Sequence, residues 1–265
     1  MDELRPQNYT DPRPAEHFAP FHERVRTHEP DWVYDTARLI VTPPSLALYR
    51  AWPIATNNVP AAGPVILAPN HFSNWDHFFA GIYLRRKICF MAKSQLYANP
   101  VADFVFSHGG AFPIRRGERD DEAFRTAHAI LDRGGCVLIY AEGGRSRTRG
   151  LGEPRPGVGR LALESGVPVV PVAIHGSIGV RSWRRLRFPK VTIQYGEQLS
   201  FAPVADPTRE QQQRAAEQVF DRVRAMYVAL EENGRRSVIR SLRAAAAGAA
   251  AAGAPSEAPS ERSYS

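Results

Sequence analysis

Short apolar runs alternate with amphipathic stretches through the middle of the chain. The apolar runs are rich in Val, Ile and Leu and predict strands; they lie at residues 64–69, 88–92, 111–115, 136–140, 167–174 and 191–195. The stretches with helical spacing of apolar positions lie at residues 74–85, 100–108, 120–133, 159–165 and 208–232. Strands that alternate with helices are typical of a parallel sheet. The pattern therefore predicts the α/β fold class: a single domain with a mostly parallel central sheet flanked by helices.

The two ends of the chain differ from this middle part. An amphipathic helical segment is expected to precede the domain, and the proline pair Pro43 and Pro44 is expected to break it. The C-terminal stretch is rich in Arg, Ala, Ser and Pro, has almost no large apolar residues, and is expected to be largely disordered. The predicted organisation is a polar N-terminal extension (residues 1–30), the helical segment (residues 31–50), the α/β domain (residues 51–233) and the tail (residues 234–265).

The chain carries a formal net charge of +7 and has a pI of about 9.7, and almost all of its basic residues are arginines. Such a balance suits an anionic membrane surface, a phosphorylated small molecule or nucleic acid. The arginines form neither a single stripe nor a known recognition motif, so nucleic acid is not expected as a partner. The charge alone does not choose between the other two.

Cysteine usage and hydropathy indicate the compartment. Cys89 and Cys136 each lie inside an apolar run and lack the spacing of a metal or redox site, which predicts buried thiols in a reducing compartment. The longest apolar stretch, residues 39–49, is interrupted by prolines and is too short to span a bilayer. We therefore expect a cytoplasmic protein, soluble or peripheral, with no transmembrane helix.

Three polar clusters directly follow predicted strands. In open α/β sheets, functional residues collect in the turns after strands, so we expect the functional site there. In chain order, the clusters are Asn70-His71, Arg115-Arg116 and Glu142-Gly143-Gly144-Arg145-Ser146.

His71 and Asp76 are five residues apart, a spacing that would separate them widely on one ideal helix. The pair can meet if His71 lies in the turn and Asp76 lies in the first turn of the following helix. A carboxylate bonded to one imidazole nitrogen fixes the tautomer and leaves the other nitrogen as a base. No serine, cysteine or metal-ligand set accompanies the pair at suggestive spacing. The dyad therefore suits a hydroxyl that the substrate itself supplies.

Each cluster also has a purely structural interpretation, and the local sequence leaves both open. Residues 73–76 have the form of a capping box, in which Asp76 only caps its helix. Arg115 and Arg116 suit a phosphate, but solvated surface charge is the simpler interpretation when they are taken alone. The glycines after Glu142 suit either an anion-facing turn or a simple surface turn.

Taken together and in this order, the clusters resemble the motifs of the glycerophospholipid acyltransferase family, which includes the PlsC-like 1-acyl-sn-glycerol-3-phosphate acyltransferases. The resemblance spans about residues 50–200. Its first two segments are an Asn-His…Asp motif (residues 70–76) and a glycine followed by an apolar run that ends in arginine (residues 110–115). The other two are the Glu142 cluster (residues 142–146) and an apolar segment around a proline (residues 167–172). The third motif departs from the usual Glu-Gly-Thr-Arg-Ser, because Gly144 replaces the threonine.

The resemblance implies an acyltransferase that moves a fatty acyl chain to the free hydroxyl of 1-acyl-glycerol-3-phosphate, giving phosphatidic acid for phospholipid biosynthesis. The implied co-substrate is an acyl-CoA or acyl carrier protein thioester, and no metal or tightly bound cofactor is implied. His71 would be the catalytic base and Asp76 would orient its imidazole. The implied substrate-binding residues are Asn70, Arg115, Glu142, Gly143, Gly144 and Arg145, and those of the acyl or thioester channel are Val170 and Pro171.

A lipid acceptor requires access to a membrane, so the expected partner is an anionic membrane surface that the protein binds peripherally. The candidate segments for this contact are residues 31–49 with Trp32 and Leu39, residues 181–187 and residues 235–243. Two alternatives stay open. The acceptor is another lysophospholipid or lipid hydroxyl, which the departure at Gly144 allows, or the chain is a non-catalytic module that binds anionic lipid.

Overall fold

A computed structural model of the chain describes residues 11–116, 120–146, 150–181 and 188–252. Contacts within the chain divide it into two units, residues 1–227 and residues 228–265. The strands found in the described residues all lie in the larger unit. This unit therefore contains the whole described sheet.

Helices and strands alternate through most of this larger unit. The α-helices are α1 (Ala19–Thr27), α2 (Trp32–Ala47), α3 (Asp76–Gly81), α4 (Pro100–His108), α5 (Asp121–Asp132), α6 (Pro156–Ser165) and α7 (Arg209–Ala252). The strands are β1 (Trp52–Ile54), β2 (Val65–Pro69), β3 (Cys89–Lys93), β4 (Ala111–Ile114), β5 (Cys136–Leu138), β6 (Val169–His175) and β7 (Thr192–Tyr195). Helix α7 is interrupted at Gly234, whose backbone is not helical (φ 70°, ψ 160°).

The described strands form one sheet in the order β1-β7-β6-β2-β5-β3-β4. Every neighbouring pair is parallel except β6 and β7, which are antiparallel. Strand β2 therefore lies in the centre, between β5 and β6. The arrangement confirms the predicted α/β class with a mostly parallel central sheet.

Strand β2 is apolar throughout because helices cover both faces of the sheet. Val65 and Leu67 belong to the core cluster that also holds side chains of α2 and α3. Ile66 and Ala68 belong to the opposite cluster, with side chains of α5, α6 and α7. The four side chains of β2 just named, Val65, Ile66, Leu67 and Ala68, are fully buried. A strand buried on both faces shows a continuous apolar run rather than an alternating one, as the sequence of β2 does.

Helix α2 confirms the predicted amphipathic segment, but the expected break at its proline pair is wrong. The helix continues through Pro43 and Pro44. Prolines lack the N–H that would bond the carbonyls of Leu39 and Ile40. Those two residues are 73% and 66% exposed, so water can replace the missing donors. The buried face of the helix, which includes Val41, stays packed and keeps the segment helical.

The described part of the predicted polar extension, residues 11–30, packs into the fold. Phe18 and Val25 are each 1% exposed. The Arg13 guanidinium donates a hydrogen bond to the carbonyl of Ser94 at 2.8 Å. The polar composition of this segment did not indicate that it packs against the domain, because only its few apolar side chains are buried there.

Some element boundaries differ from the expected ones. The helix expected at residues 74–85 is the six-residue α3. After the helix expected at residues 208–232, the chain is helical again beyond the non-helical Gly234 as far as Ala252, where the many alanines have a high helix propensity. The rest of the predicted tail, and most of the predicted basic segment at residues 181–187, lie outside the described residues.

Asn70, directly after β2, links that strand to β6. Its Oδ1 accepts a hydrogen bond from the N–H of Ile174 at 2.7 Å, and its Nδ2 donates to the carbonyl of Ile174 at 3.1 Å. Asn70 is fully buried. The side-chain amide of Asn70 therefore forms hydrogen bonds with both backbone groups of Ile174 in the core. A direct contact between Asn70 and the substrate stays a prediction.

Replacing Asn70 by alanine is expected to lower the free energy of unfolding by about 2–6 kcal/mol, because it leaves two buried backbone groups unpaired and each costs about 1–3 kcal/mol. The matched control is Asn74→Ala, at an exposed asparagine of the same loop, which should change stability by less than about 0.5 kcal/mol. Urea unfolding followed by circular dichroism measures both. Equal effects of the two substitutions would contradict the assignment.

Candidate active site

The carboxyl ends of β2, β3, β4 and β5 lie at one edge of the sheet, because these strands run parallel. The segments that follow β4 and β5 border a cleft of about 1110 Å³. Two of the predicted clusters line this cleft, with the residues Arg115, Arg116, Glu142, Gly143, Gly144, Arg145 and Ser146. The fold therefore brings together clusters that are about thirty residues apart in the sequence.

His71 meets Asp76 as the spacing requires. The Nδ1 atom of His71 lies 2.9 Å from Oδ2 of Asp76. His71 lies in the turn after β2, and Asp76 is the first residue of α3. Both are buried, with exposed fractions of 8% and 0%. When Nδ1 carries the proton, Nε2 of the neutral imidazole is left as an acceptor.

The Asp76 carboxylate also holds the turn that leads into α3. Its Oδ2 accepts hydrogen bonds from the N–H of Phe72 at 2.6 Å and of Ser73 at 2.7 Å. Trp75 occupies the N-cap position, and its side chain makes no capping bond. Ser73 Oγ also accepts the N–H of Trp75 at 3.2 Å, so the residues of the predicted capping box bond to each other and the cap occurs together with the dyad.

Glu142 fixes the His71 turn from the neighbouring strand. Its Oε1 accepts the N–H of His71 at 2.8 Å, and its Oε2 accepts the N–H of Gly152 at 2.8 Å. A Cβ atom at position 152 would lie 2.5 Å from Oε2, so a larger residue there would displace the Glu142 carboxylate. Gly143 has a φ of +64°, in the left-handed region that glycine adopts without strain. The third predicted cluster thus supports the first.

Burial lowers the pKa of His71 below its ordinary value of 6.5. The neighbouring Asp76 opposes this shift, whereas the positive charges of Arg116 and Arg145 add to it. The imidazole is therefore neutral at neutral pH, with a lone pair on Nε2. Such a group can accept a proton from a bound hydroxyl.

Lys93, the last residue of β3, joins two arginines near His71. Burial, and then the positive charges of Arg145 and Arg116, lower the pKa of Lys93. Cations that disfavour each other's charge are stabilised by an anion bound between them. Lys93 was not among the predicted site residues, although it lies at the end of a strand, as Arg115 does.

Arg115 lines the cleft at the junction of β4 and α5. Its backbone N–H donates a hydrogen bond to Oδ2 of Asp120 at 2.7 Å. The other oxygen of Asp120 accepts the N–H of Ala123 at 3.1 Å and caps α5. Asp120 therefore holds the main chain of Arg115 at the edge of the cleft.

Val170 and Pro171 lie inside β6 and are buried. Val170 packs in the core cluster that includes Leu67. The side chains that border the described cleft include neither residue. Their role in an acyl or thioester channel stays a prediction.

In the part of the chain that the structure describes, no group of three or more His, Cys, Asp and Glu side chains is arranged to hold a metal ion. Within the same residues, no helix is both long enough and apolar enough to cross a membrane. Cys89 and Cys136 are free, buried thiols, as their apolar surroundings in the sequence predict.

Residues 54–175 match the family model described as Acyltransferase. The chain is 27% identical over 123 residues to a chloroplastic 1-acyl-sn-glycerol-3-phosphate acyltransferase of Brassica napus, which covers 45% of this chain and 36% of that protein. It is 35% identical over 115 residues to the lyso-ornithine lipid O-acyltransferase of Pseudomonas aeruginosa. That match covers 42% of this chain and 43% of the P. aeruginosa protein. The crystal structure of the 1-acyl-sn-glycerophosphate acyltransferase PlsC of Thermotoga maritima is similar with a TM-score of 0.56 at 21% identity, over 82% of this chain and 89% of that one.

The matched residues contain the site. His71, Asp76, Arg115 and Glu142 all lie within residues 54–175. The chain spans less than half the length of the curated relatives that it matches. The likeness to the T. maritima structure shows a shared fold. The segment that contains the site, residues 54–175, is therefore similar to the acyltransferase family.

Proposed function

We propose that the chain transfers a fatty acyl group from a thioester to the free hydroxyl of 1-acyl-glycerol-3-phosphate, giving phosphatidic acid. The observation that carries the proposal is the buried contact of 2.9 Å between His71 and Asp76, beside a cleft that arginines line. The name of the B. napus relative supports this acceptor. The thioester is an acyl-CoA or an acyl carrier protein, and no tightly bound cofactor takes part.

The dyad activates the acceptor hydroxyl. Nε2 of His71 takes the hydroxyl proton, while the acceptor oxygen forms a bond to the thioester carbonyl carbon and negative charge moves to the carbonyl oxygen. The tetrahedral species then breaks its C–S bond, and the imidazolium gives its proton to the departing thiolate. Asp76 holds the imidazole in the required tautomer and stabilises its positive charge in between. The products are an ester and a free thiol, with His71 neutral again.

The acceptor phosphate binds the cationic group formed by Lys93, Arg116 and Arg145. A guanidinium can donate two parallel hydrogen bonds to phosphate oxygens, and a doubly charged phosphate offsets the repulsion among the three cations. This group lies near His71, since Arg116 and Arg145 both influence its pKa. The proposed substrate site also includes the cleft-lining residues Arg115, Glu142, Gly143 and Gly144.

A second acceptor class stays open because the P. aeruginosa relative, at 35% identity, is named for a lyso-ornithine lipid. In the third motif, Gly144 stands where threonine is usual, so the turn lacks a hydroxyl and a Cβ atom. Such a change next to the substrate site can alter which acceptor fits.

We further propose that an apolar surface on α2 and α4 binds a lipid bilayer peripherally. Leu39 and Ile40 on α2 are 73% and 66% exposed, and Val101 on α4 is 73% exposed. The two helices meet at Trp32 and Phe104, whose ring centroids are 6.3 Å apart. Exposed apolar residues gathered on adjacent helices mark an interaction surface. A bilayer fits this surface, because the proposed acceptor and product are themselves lipids.

Removing the base is expected to abolish most of the activity. His71→Gln should lower kcat by about 100- to 10,000-fold, as the loss of a general base does. Asp76→Asn should cost about as much, because its amide stabilises the wrong imidazole tautomer. The measurement is thiol release from acyl-CoA with 1-acyl-glycerol-3-phosphate. His28→Gln, at an exposed histidine far from β2 in the sequence, is the control and should retain wild-type activity.

The pH profile of the wild type tests the same assignment. A base must be unprotonated, so kcat/KM should fall as the pH falls through the pKa of His71, with a midpoint below the ordinary histidine value of 6.5. Full activity of folded His71→Gln would disprove the catalytic role. A wild type that binds anionic vesicles but releases no thiol with any acceptor would favour the non-catalytic lipid-binding module.

Lys93→Gln is expected to raise the KM for 1-acyl-glycerol-3-phosphate by about 10- to 100-fold, because a hydrogen bond to a charged group contributes about 1.5–3 kcal/mol. Lys190→Gln, at an exposed lysine, provides the matched control and should leave KM unchanged. Mass spectrometry of the products from a panel of lysolipids, including lyso-ornithine lipid, identifies the preferred acceptor. An unchanged KM for Lys93→Gln would remove Lys93 from the phosphate site.

Replacing Leu39 and Ile40 together by glutamate should reduce binding to anionic vesicles by at least about tenfold, since each large apolar side chain that enters the bilayer contributes about 1.5–3 kcal/mol. Flotation of the protein with vesicles of mixed phosphatidylcholine and phosphatidylglycerol measures the bound fraction. Val101→Glu on α4 should act in the same direction. Val228→Glu, at a 42% exposed valine of α7, is the charge-matched control for Val101→Glu. Equal binding of all variants would contradict the surface.

A further inference from the structure

Tyr140 lies flat against the imidazole of His71. The ring centroids are 3.7 Å apart, and the ring planes differ by only 11°. Tyr140 is 8% exposed and belongs to the same core cluster as Leu138. In the sequence, Tyr140 appears only as the last apolar position of a predicted strand, so its neighbour could not be inferred there.

The pairing of two strands places the tyrosine beside the histidine. Past the end of β5, the N–H of Ile139 donates to the carbonyl of Leu67 at 3.0 Å, and the N–H of Ala141 donates to the carbonyl of Pro69 at 3.1 Å. Tyr140 therefore runs alongside the last residues of β2, and its position is fixed by the main chain.

The stack restricts a motion that the other contacts of His71 leave free. The main chain is fixed, because its N–H bonds Glu142 at 2.8 Å and its carbonyl accepts the N–H of Ser146 at 2.8 Å. The contact with Asp76 fixes one ring nitrogen, but a ring held by one hydrogen bond can still tilt about it. A parallel ring at 3.7 Å blocks this tilt on one face. Tyr140 thus restricts the plane of the imidazole together with the bond to Asp76.

The hydroxyl of Tyr140 does not account for its position. It is buried and, among the residues that the structure describes, has no hydrogen-bond partner. Burial raises the pKa of Tyr140 well above its ordinary value, so the phenol stays neutral. An unpaired buried hydroxyl costs about 1–3 kcal/mol. The favourable contact with His71 therefore comes from the ring.

We propose that Tyr140 is a positioning residue for acyl transfer: its ring holds the imidazole of His71 in the plane that directs Nε2 towards the acceptor hydroxyl. This role rests on the function proposed above. The step that it assists is the transfer of the hydroxyl proton to Nε2, while the acceptor oxygen bonds the thioester carbon. The aromatic face also attracts the positive charge of the imidazolium that forms in this step.

Two substitutions separate the ring from the hydroxyl. Tyr140→Leu removes the ring and should lower kcat by about 100-fold, as a small misplacement of a catalytic group does, with the acceptor KM unchanged. Tyr140→Phe keeps the ring and should retain the wild-type kcat with equal or higher stability, because no buried hydroxyl is left unpaired. Leu138→Ala, a buried residue on the same strand and in the same core cluster, is the control for the loss of packing.

Nuclear magnetic resonance tests the stack without any substrate. With ¹³C-labelled histidine, the ring current of Tyr140 should shift the ring protons of His71 upfield in the wild type and in Tyr140→Phe. The shift should disappear in Tyr140→Leu and persist in Leu138→Ala. The His71→Gln spectrum identifies the resonance.

The outcomes distinguish the positioning role from the proposed function. If the wild type transfers acyl groups and Tyr140→Leu keeps its kcat, or falls no further than Leu138→Ala, the positioning role is wrong. If Tyr140→Phe loses as much activity as Tyr140→Leu, the hydroxyl and not the ring is required, which also overturns the proposal. If the wild type releases no thiol with any acceptor, the proposed function fails, whatever the resonance of His71 shows.

Discussion

The position of β2 between β5 and β6 determines the whole site. The three strands are parallel, so their carboxyl ends open at one edge, and the turns that follow them meet there. Glu142, which follows β5, accepts a hydrogen bond from the backbone N–H of His71. Asn70, which follows β2, accepts one from the backbone N–H of Ile174 in β6. Because β2 is buried on both faces, the core fixes the point at which the His71 turn begins. The contacts that stabilise the centre of the sheet are therefore also those that shape the site.

Charge at this edge has two separate functions. The carboxylates of Asp76 and Glu142 are buried and bonded to backbone N–H groups, so they are held rigidly before any ligand arrives. The cations Arg116 and Arg145 lie close enough to Lys93 to disfavour its charge. Groups fixed in advance need no reorganisation during a reaction, which makes their electrostatic effect large. The rigid carboxylates thus suit the chemistry, and the crowded cations suit the binding of an anion.

Much of this arrangement was predictable, because it follows from local patterns. The alternation of apolar runs with helical stretches predicted the α/β class, and the rule of strand ends predicted that Arg115 and Glu142 would border one site. The local pattern failed where packing opposed it. Packing keeps α2 helical through Pro43 and Pro44, and it buries Phe18 within a segment of polar composition.

By itself, the sequence determined which segments form strands and helices and that His71 can reach Asp76, because both depend on residues that are near each other in the chain. Only the tertiary structure decided that Tyr140 stacks on His71, that Lys93 lies close to Arg145, and that the Asn70 side chain is hydrogen-bonded to Ile174. These contacts depend on the order of the strands in the sheet. Strand order results from the packing of the whole chain on both faces of that sheet, and no local pattern of residues encodes it.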